Sequence, residues 1–89
     1  MPYIPQNDRV HLDKYIKELV AIINTSSKKE GMTNYIITRL IMGGLFPVCY
    51  ADYNGAIGVL ECCKMELYRR KVALYENKAM VDNGDIPEF

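Results

Sequence analysis

One histidine and three cysteines stand among the 89 residues, with no CxxC or HxxxH spacing, so a metal site has no ligand set to draw on. The chain also lacks a net charge. Eleven Lys plus Arg balance eleven Asp plus Glu, which removes the long-range field expected of a protein that coats DNA or RNA, although a local basic patch remains open. No apolar stretch approaches the roughly 20 residues that a membrane span needs. The opening MPYIPQNDR has neither the basic start nor the apolar run of a secretory signal. A soluble protein of the cytoplasm is the expectation. Phosphate loops of P-loop spacing, nucleophile elbows and ExxE carboxylate pairs are missing as well, and Glu61 and Glu66, five apart, point in different directions. The chain is therefore read as non-enzymatic, with no catalytic residue, no metal and no cofactor assigned.

The cysteines are Cys49 and the adjacent pair Cys62 and Cys63. Neighbours on one helix point about 100° apart, which is unsuitable for a bridge, and an odd count with a vicinal pair fits reduced, core-filling thiols. A domain this small buries only about 60–65% of the surface that its unfolded chain exposes. With disulfides and metal set aside, oligomerisation is the remaining aid to stability. The chain is expected to form a homo-oligomer, a dimer or a tetramer.

What is present is helical patterning throughout, and the fold class expected is all-α: one three-helix domain with a long C-terminal helix. Residues 1–6 hold two prolines around Tyr3 and Ile4 and read as an extended arm. The arm lies either on the chain's own core or on a neighbouring subunit or ligand. Asn7 or Asp8 can cap a helix over 8–24, where Leu12, Tyr15, Ile16, Leu19, Val20 and Ile23 recur at three- and four-residue steps. His11, at its start, is read as solvated or capping. The stretch TSSKKEG, residues 25–31, marks a loop. Thr33 then caps a second helix, over 33–45, which Gly43, Gly44 and Pro47 weaken and stop. Asp52 caps the long helix, 52–82, and Asn83 and Gly84 begin a tail over 83–89.

The long helix separates into three surfaces at 100° per residue. Tyr53, Ala56, Leu60, Cys63, Leu67 and Leu74 form a broad core stripe. A second stripe has only small residues, Ala51, Gly55, Gly58 and Cys62, and permits close approach by another helix, within the chain or from another subunit, or by a ligand. It is the expected oligomer interface. Beyond it lie Glu66, Tyr68, Arg69 and Arg70. A Glu66–Arg70 salt bridge one turn apart is one reading. The other is an anion-plus-aromatic site, with a ring to stack on a base and two guanidiniums for phosphates. Thr38 and Arg39 of the second helix are candidates to converge on the same place.

The strings Asn34-Tyr35-Ile36-Ile37-Thr38, Gly58-Val59-Leu60-Glu61, Glu66-Leu67-Tyr68-Arg69-Arg70, Tyr75-Glu76 and Asn83-Gly84-Asp85 resemble a family of small helical proteins of phages and bacteria. The resemblance covers roughly the C-terminal two-thirds. This group is in turn similar to phage anti-CBASS sponge proteins, small oligomers that sequester a cyclic-nucleotide immune signal without cleaving it. The resemblance implies a phage-encoded protein of the host cell cytoplasm that captures a cyclic dinucleotide at or near subunit interfaces. On that reading Arg39, Arg69 and Arg70 donate to phosphates or bases, Thr38 donates a hydroxyl, and Tyr35 or Tyr68 stacks. The alternative is a helical phage accessory module that binds a protein partner.

Overall fold

The computed structural model describes residues 3–89, and among them the secondary structure is entirely helical. Helix α1 spans Gln6–Asn24, α2 Lys29–Leu40, α3 Tyr50–Leu67 and α4 Ala73–Asn83. A π-helical turn, Ile41–Leu45, extends α2, and a second, Tyr68–Val72, joins α3 to α4 without a break. The long C-terminal helix is thus α3, a π turn and α4, of 18, 5 and 11 residues. The chain divides into two compact units, Met1–Asp52 and Tyr53–Phe89.

In the first unit the arm begins, where it is described, at Tyr3. Arg9 donates from Nε to the Ile4 carbonyl at 3.0 Å, and its guanidinium lies 5.9 Å from the centre of the Tyr3 ring. This local clasp holds Tyr3 and Ile4 against the first turns of α1. Residues 1 and 2 of the expected arm lie outside the described residues. Helix α1 starts at Gln6, two residues before the expected start. Pro5 occupies the N-cap position with extended ψ, and its carbonyl accepts from the Asp8 amide at 3.0 Å. Asp8 is therefore not a cap. It sits in the first turn, where its charge suits the helix dipole.

The expected loop is shorter than the sequence suggests. Thr25 donates its hydroxyl to the Ile22 carbonyl at 2.9 Å, and Ser26 Oγ accepts from the Lys28 amide at 2.9 Å. Those side chains turn the chain within four residues, so α2 begins at Lys29 and takes in Glu30 and Gly31. Thr33 consequently lies inside α2 and donates to the Lys29 carbonyl at 2.8 Å, which corrects its reading as a cap. Helices α1 and α2 touch, and Leu19, Ile23, Met32 and Ile36 are half-buried.

Gly43 and Gly44 do not end the second helix in a left-handed conformation. They fall inside the π turn, and the left-handed residue is Phe46, at φ 49° and ψ 56°. Pro47 contributes to the displacement. The residue before a proline is disfavoured in the right-handed helical region, which favours the helix ending before Phe46. Helix α3 starts at Tyr50, and Asp52 acts from inside its first turn, accepting from the Val48 amide at 3.0 Å. That hydrogen bond, with others from Cys49, holds the Asp52 carboxyl below its ordinary pKa. At the far end Gly84, at φ 85°, closes α4 by donating its amide to the Met80 carbonyl at 2.9 Å.

Burial is scarce. Among the described residues only Pro47 and Ala56 are buried. The expected core stripe of the long helix is uncovered: Ala56 is 5% exposed, but Tyr53 is 49%, Leu67 62% and Leu74 61% exposed. Cys49, Cys62 and Cys63 are free and exposed, so they fill no core within the chain. The second π turn also breaks the stripe geometrically. A π turn inserts about one residue into the α-helical ladder, rotating everything after Val72 by about 100° relative to a continuous wheel. Leu74 therefore leaves the line through Leu60 and Leu67 on which an unbroken helix would place it.

Candidate functional site

The six residues singled out for ligand contact fall into two groups, one in each unit. Each group is built on its own stretch of helix.

In the first unit, Tyr35 and Arg39 are one turn apart on α2. Arg39 donates from Nη1 to the Tyr35 hydroxyl at 2.6 Å, and its guanidinium lies 5.6 Å from the ring centre. The arginine is held by its own helix neighbour through a hydrogen bond and a cation–π contact. Thr38 donates its hydroxyl to the Asn34 carbonyl at 2.9 Å, so what it offers a ligand is an acceptor lone pair. An open groove of about 510 Å³ is lined by Glu30, Gly31, Asn34, Tyr35 and Thr38. Glu30 makes this groove a poor seat for a phosphate, which would meet its carboxylate.

The second group sits at the π turn of the long helix. Glu66 Oε1 accepts from Arg69 Nη2 at 2.8 Å and lies 3.4 Å from Arg70 Nη1. One carboxylate oxygen thus orients two guanidiniums, where the sequence suggests a single Glu66–Arg70 pair. Glu66 is the covered member, 21% exposed, while Arg69 is 72% and Arg70 59% exposed. Ion pairs this open to water contribute about 0.2–1 kcal/mol each, so their consequence is orientation more than stability. Arginine carries five N–H donors in a planar fork, more than one carboxylate oxygen can take. Two such forks against one carboxylate leave the cluster with net positive charge.

Tyr68 completes the group. Its hydroxyl donates to the Glu76 carboxylate, and this hydrogen bond raises the Tyr68 pKa above the ordinary tyrosine value. The partners are eight residues apart, a separation at which an unbroken α-helix leaves the side chains about 80° out of line. With the extra residue of the π turn, position 76 takes roughly the angular place of position 75. Tyr68 and Glu76 then share a face, two turns apart. Glu76 is the functional neighbour that sequence reading misses, because nothing in the string YRRKV announces a π turn.

The small-residue stripe also has a clear placement. Ala51, Gly55, Gly58 and Cys62 are all exposed. A Cβ added at Gly55 or at Gly58 would meet nothing within 4 Å among the described residues. Among the described residues no three His, Cys, Asp or Glu side chains gather as a metal ion would require, and no helix is long and apolar enough to cross a membrane.

The chain belongs to the DUF6899 family, a domain of unknown function, which it matches over residues 1–86. Neither the curated proteins nor the solved structures contain a match to it.

Proposed function

We propose that this member of the DUF6899 family is a non-enzymatic, oligomeric binding protein, phage-encoded, that sequesters a cyclic-dinucleotide immune signal in the host cytoplasm. The observation that carries the reading is the cluster at the second π turn. Two exposed guanidiniums, Arg69 and Arg70, are oriented by Glu66, and beside them the Tyr68 ring is tethered by Glu76. Forked N–H donors fit phosphate oxygens with two parallel hydrogen bonds, and a fixed ring offers a stacking face to a base. Tyr35, Thr38 and Arg39 are a separate set of proposed contacts in the first unit, suited to a base or sugar more than to a phosphate, with Arg39 and Tyr35 already paired to each other. Ala51, Gly55, Gly58 and Cys62 form the close contact between subunits, a role supported by the open space around both glycines.

Isothermal titration calorimetry with a panel of cyclic di- and trinucleotides tests this. Saturable binding of one member, lost in Arg69→Ala/Arg70→Ala while the native mass of the assembly is unchanged, is the expected outcome. Heat from no nucleotide in the panel would sink the proposal.

A second reading is favoured by the surface rather than by the cluster. Tyr50, Ile57, Tyr75 and Val81 are 80%, 64%, 78% and 84% exposed, and so many uncovered apolar side chains suit a helical module that docks on a protein of the host. A stoichiometric host protein in a pull-down, together with a ligand-free native mass, selects this reading.

A further inference from the structure

The long helix carries an apolar line in its sequence that its own geometry interrupts. Tyr53, Leu60, Leu67, Leu74 and Val81 stand at seven-residue steps, and in an unbroken α-helix such positions drift by only about 20° per step, so they would share one face. The π turn at Tyr68–Val72 divides that line after Leu67. There the Ala73 amide donates to the Tyr68 carbonyl, five residues back, where an α-helix would use the Arg69 carbonyl. The extra residue hands the angular places of Leu74 and Val81 to Tyr75 and Asp82. An aspartate thus ends the line where an unbroken helix would put a valine. What favours the turn is visible beside it. The hydrogen bond from the Tyr68 hydroxyl to the Glu76 carboxylate spans the turn, and it fits one register only. The two side chains share a face when the extra residue is present and stand about 80° apart when it is absent. The other pairs at the turn do not discriminate, because Glu66 meets Arg69 and Arg70 at spacings of three and four that an α-helix pairs equally well.

We infer that the Tyr68–Glu76 hydrogen bond is a latch that holds the long helix in its π register, and that releasing it returns residues 68–72 to α geometry and turns α4 by about 100° about the helix axis. The helix is then a two-register element, and the latch decides between the registers. The register also sets what stands beside the arginine cluster. In the π register Glu76, a carboxylate, shares the face of Tyr68 two turns on; in the α register Tyr75, a phenol, takes that place. Release therefore removes one negative charge from the neighbourhood of Arg69 and Arg70 and rejoins Leu74 and Val81 to the line of Leu60 and Leu67. The inference does not depend on what the cluster binds.

Double electron–electron resonance between two spin labels that flank the turn reads the register. In a background with Cys49→Ser, Cys62→Ser and Cys63→Ser, the labels are carried by Lys64→Cys and Lys78→Cys, fourteen residues apart. At 100° and 1.5 Å per residue they point about 40° apart in the α register and about 140° apart in the π register, which makes the π distance longer by on the order of 4 Å. Labelled chain is diluted into unlabelled chain, so that the distances read lie within one molecule. The background chain is expected to give the longer distance. Tyr68→Phe, which keeps the ring and loses only the hydroxyl, is expected to give the shorter one, and so is Glu76→Ala. A chain from which Lys71 is deleted separates the register from other effects of these changes. An unbroken α-helix then sets Tyr68 and Glu76 seven apart on one face, so adding Tyr68→Phe to the deletion should leave the distance where it is. A background chain at the shorter distance, latch variants that keep the longer one, or a deletion chain whose distance moves with Tyr68→Phe overturns the latch. Far-UV circular dichroism accompanies each chain: a change of register conserves helicity, and a latch variant that loses its helix instead also overturns the inference.

Discussion

Phe46 is the one non-glycine residue with positive φ among the described residues, and it stands directly before Pro47. Pro47 disfavours the right-handed helical region for it, and a phenylalanine without glycine's freedom takes φ 49°, a conformation that costs an ordinary residue on the order of 1–2 kcal/mol. The Phe46 side chain is 72% exposed, so contacts within the chain offset little of this. Phe46→Gly is therefore expected to raise thermal stability by roughly 1 kcal/mol, measured as an upward shift of the helix-melting midpoint at fixed protein concentration. A lowered midpoint would mean that the ring is held by a partner. Asp52, six residues on, makes a different contribution, because its carboxylate accepts the Val48 amide and lies below its ordinary pKa of 3.8. A carboxyl whose folded pKa is depressed adds stability above its unfolded pKa and loses it as pH falls through the folded value. Wild type should thus exceed Asp52→Ala in helicity at roughly pH 5 and above, and the two should converge as the pH is taken below 3.8. A gap that stays constant to the lowest pH would show that the carboxylate's charge is irrelevant.

Among the elements, the long helix was the most legible in the sequence and also the place where the reading departs furthest from the structure. Apolar spacing and flanking polar residues place it over 52–82, close to the observed extent from Tyr50 to Asn83. Gly84 closes it as its freedom at positive φ requires. Its internal geometry was not legible. Helical-wheel reasoning assumes an unbroken 3.6-residue period, and the π turn at Tyr68–Val72 shifts the wheel by about one residue. Leu74 leaves its stripe for that reason, and Glu76 arrives beside Tyr68 for the same reason. The start of α2 is not legible because Gly31 reads as a loop residue, whereas the turn is built upstream by Thr25 and Ser26. Gly55 and Gly58 yield the prediction at this scale. Each costs an α-helix about 1 kcal/mol relative to alanine, and nothing within 4 Å of a Cβ at either site opposes the change. Gly55→Ala/Gly58→Ala should then make the dissociated chain more helical by circular dichroism while weakening the assembly by sedimentation. If the assembly also tightens, these glycines do not form its close contact.

For the whole molecule the question is what opposes the entropy of ordering 89 residues, about 1–2 kcal/mol for each backbone. Within the chain, Ala56 is the only buried apolar side chain among the described residues apart from Pro47, and burying one alanine releases very little. Helix propensity cannot make up the difference, since isolated helices are marginal in water and α3 carries two glycines. Surface ion pairs such as Lys64–Glu61, at 3.1 Å with both partners largely exposed, add tenths of a kcal/mol. On the proposed oligomeric reading a second copy supplies further burial, and balanced charge, 11 of each sign, lets copies approach without net repulsion. If folding is coupled to association in this way, stability follows protein concentration. For a dimer each tenfold increase in concentration adds about 1.4 kcal/mol per assembly, which for some 180 residues moves the midpoint by about 4 °C. Thermal melts over a hundredfold range of concentration should therefore show a steady climb. A midpoint independent of concentration would place the stabilising contacts within the single chain and remove the argument for a second copy.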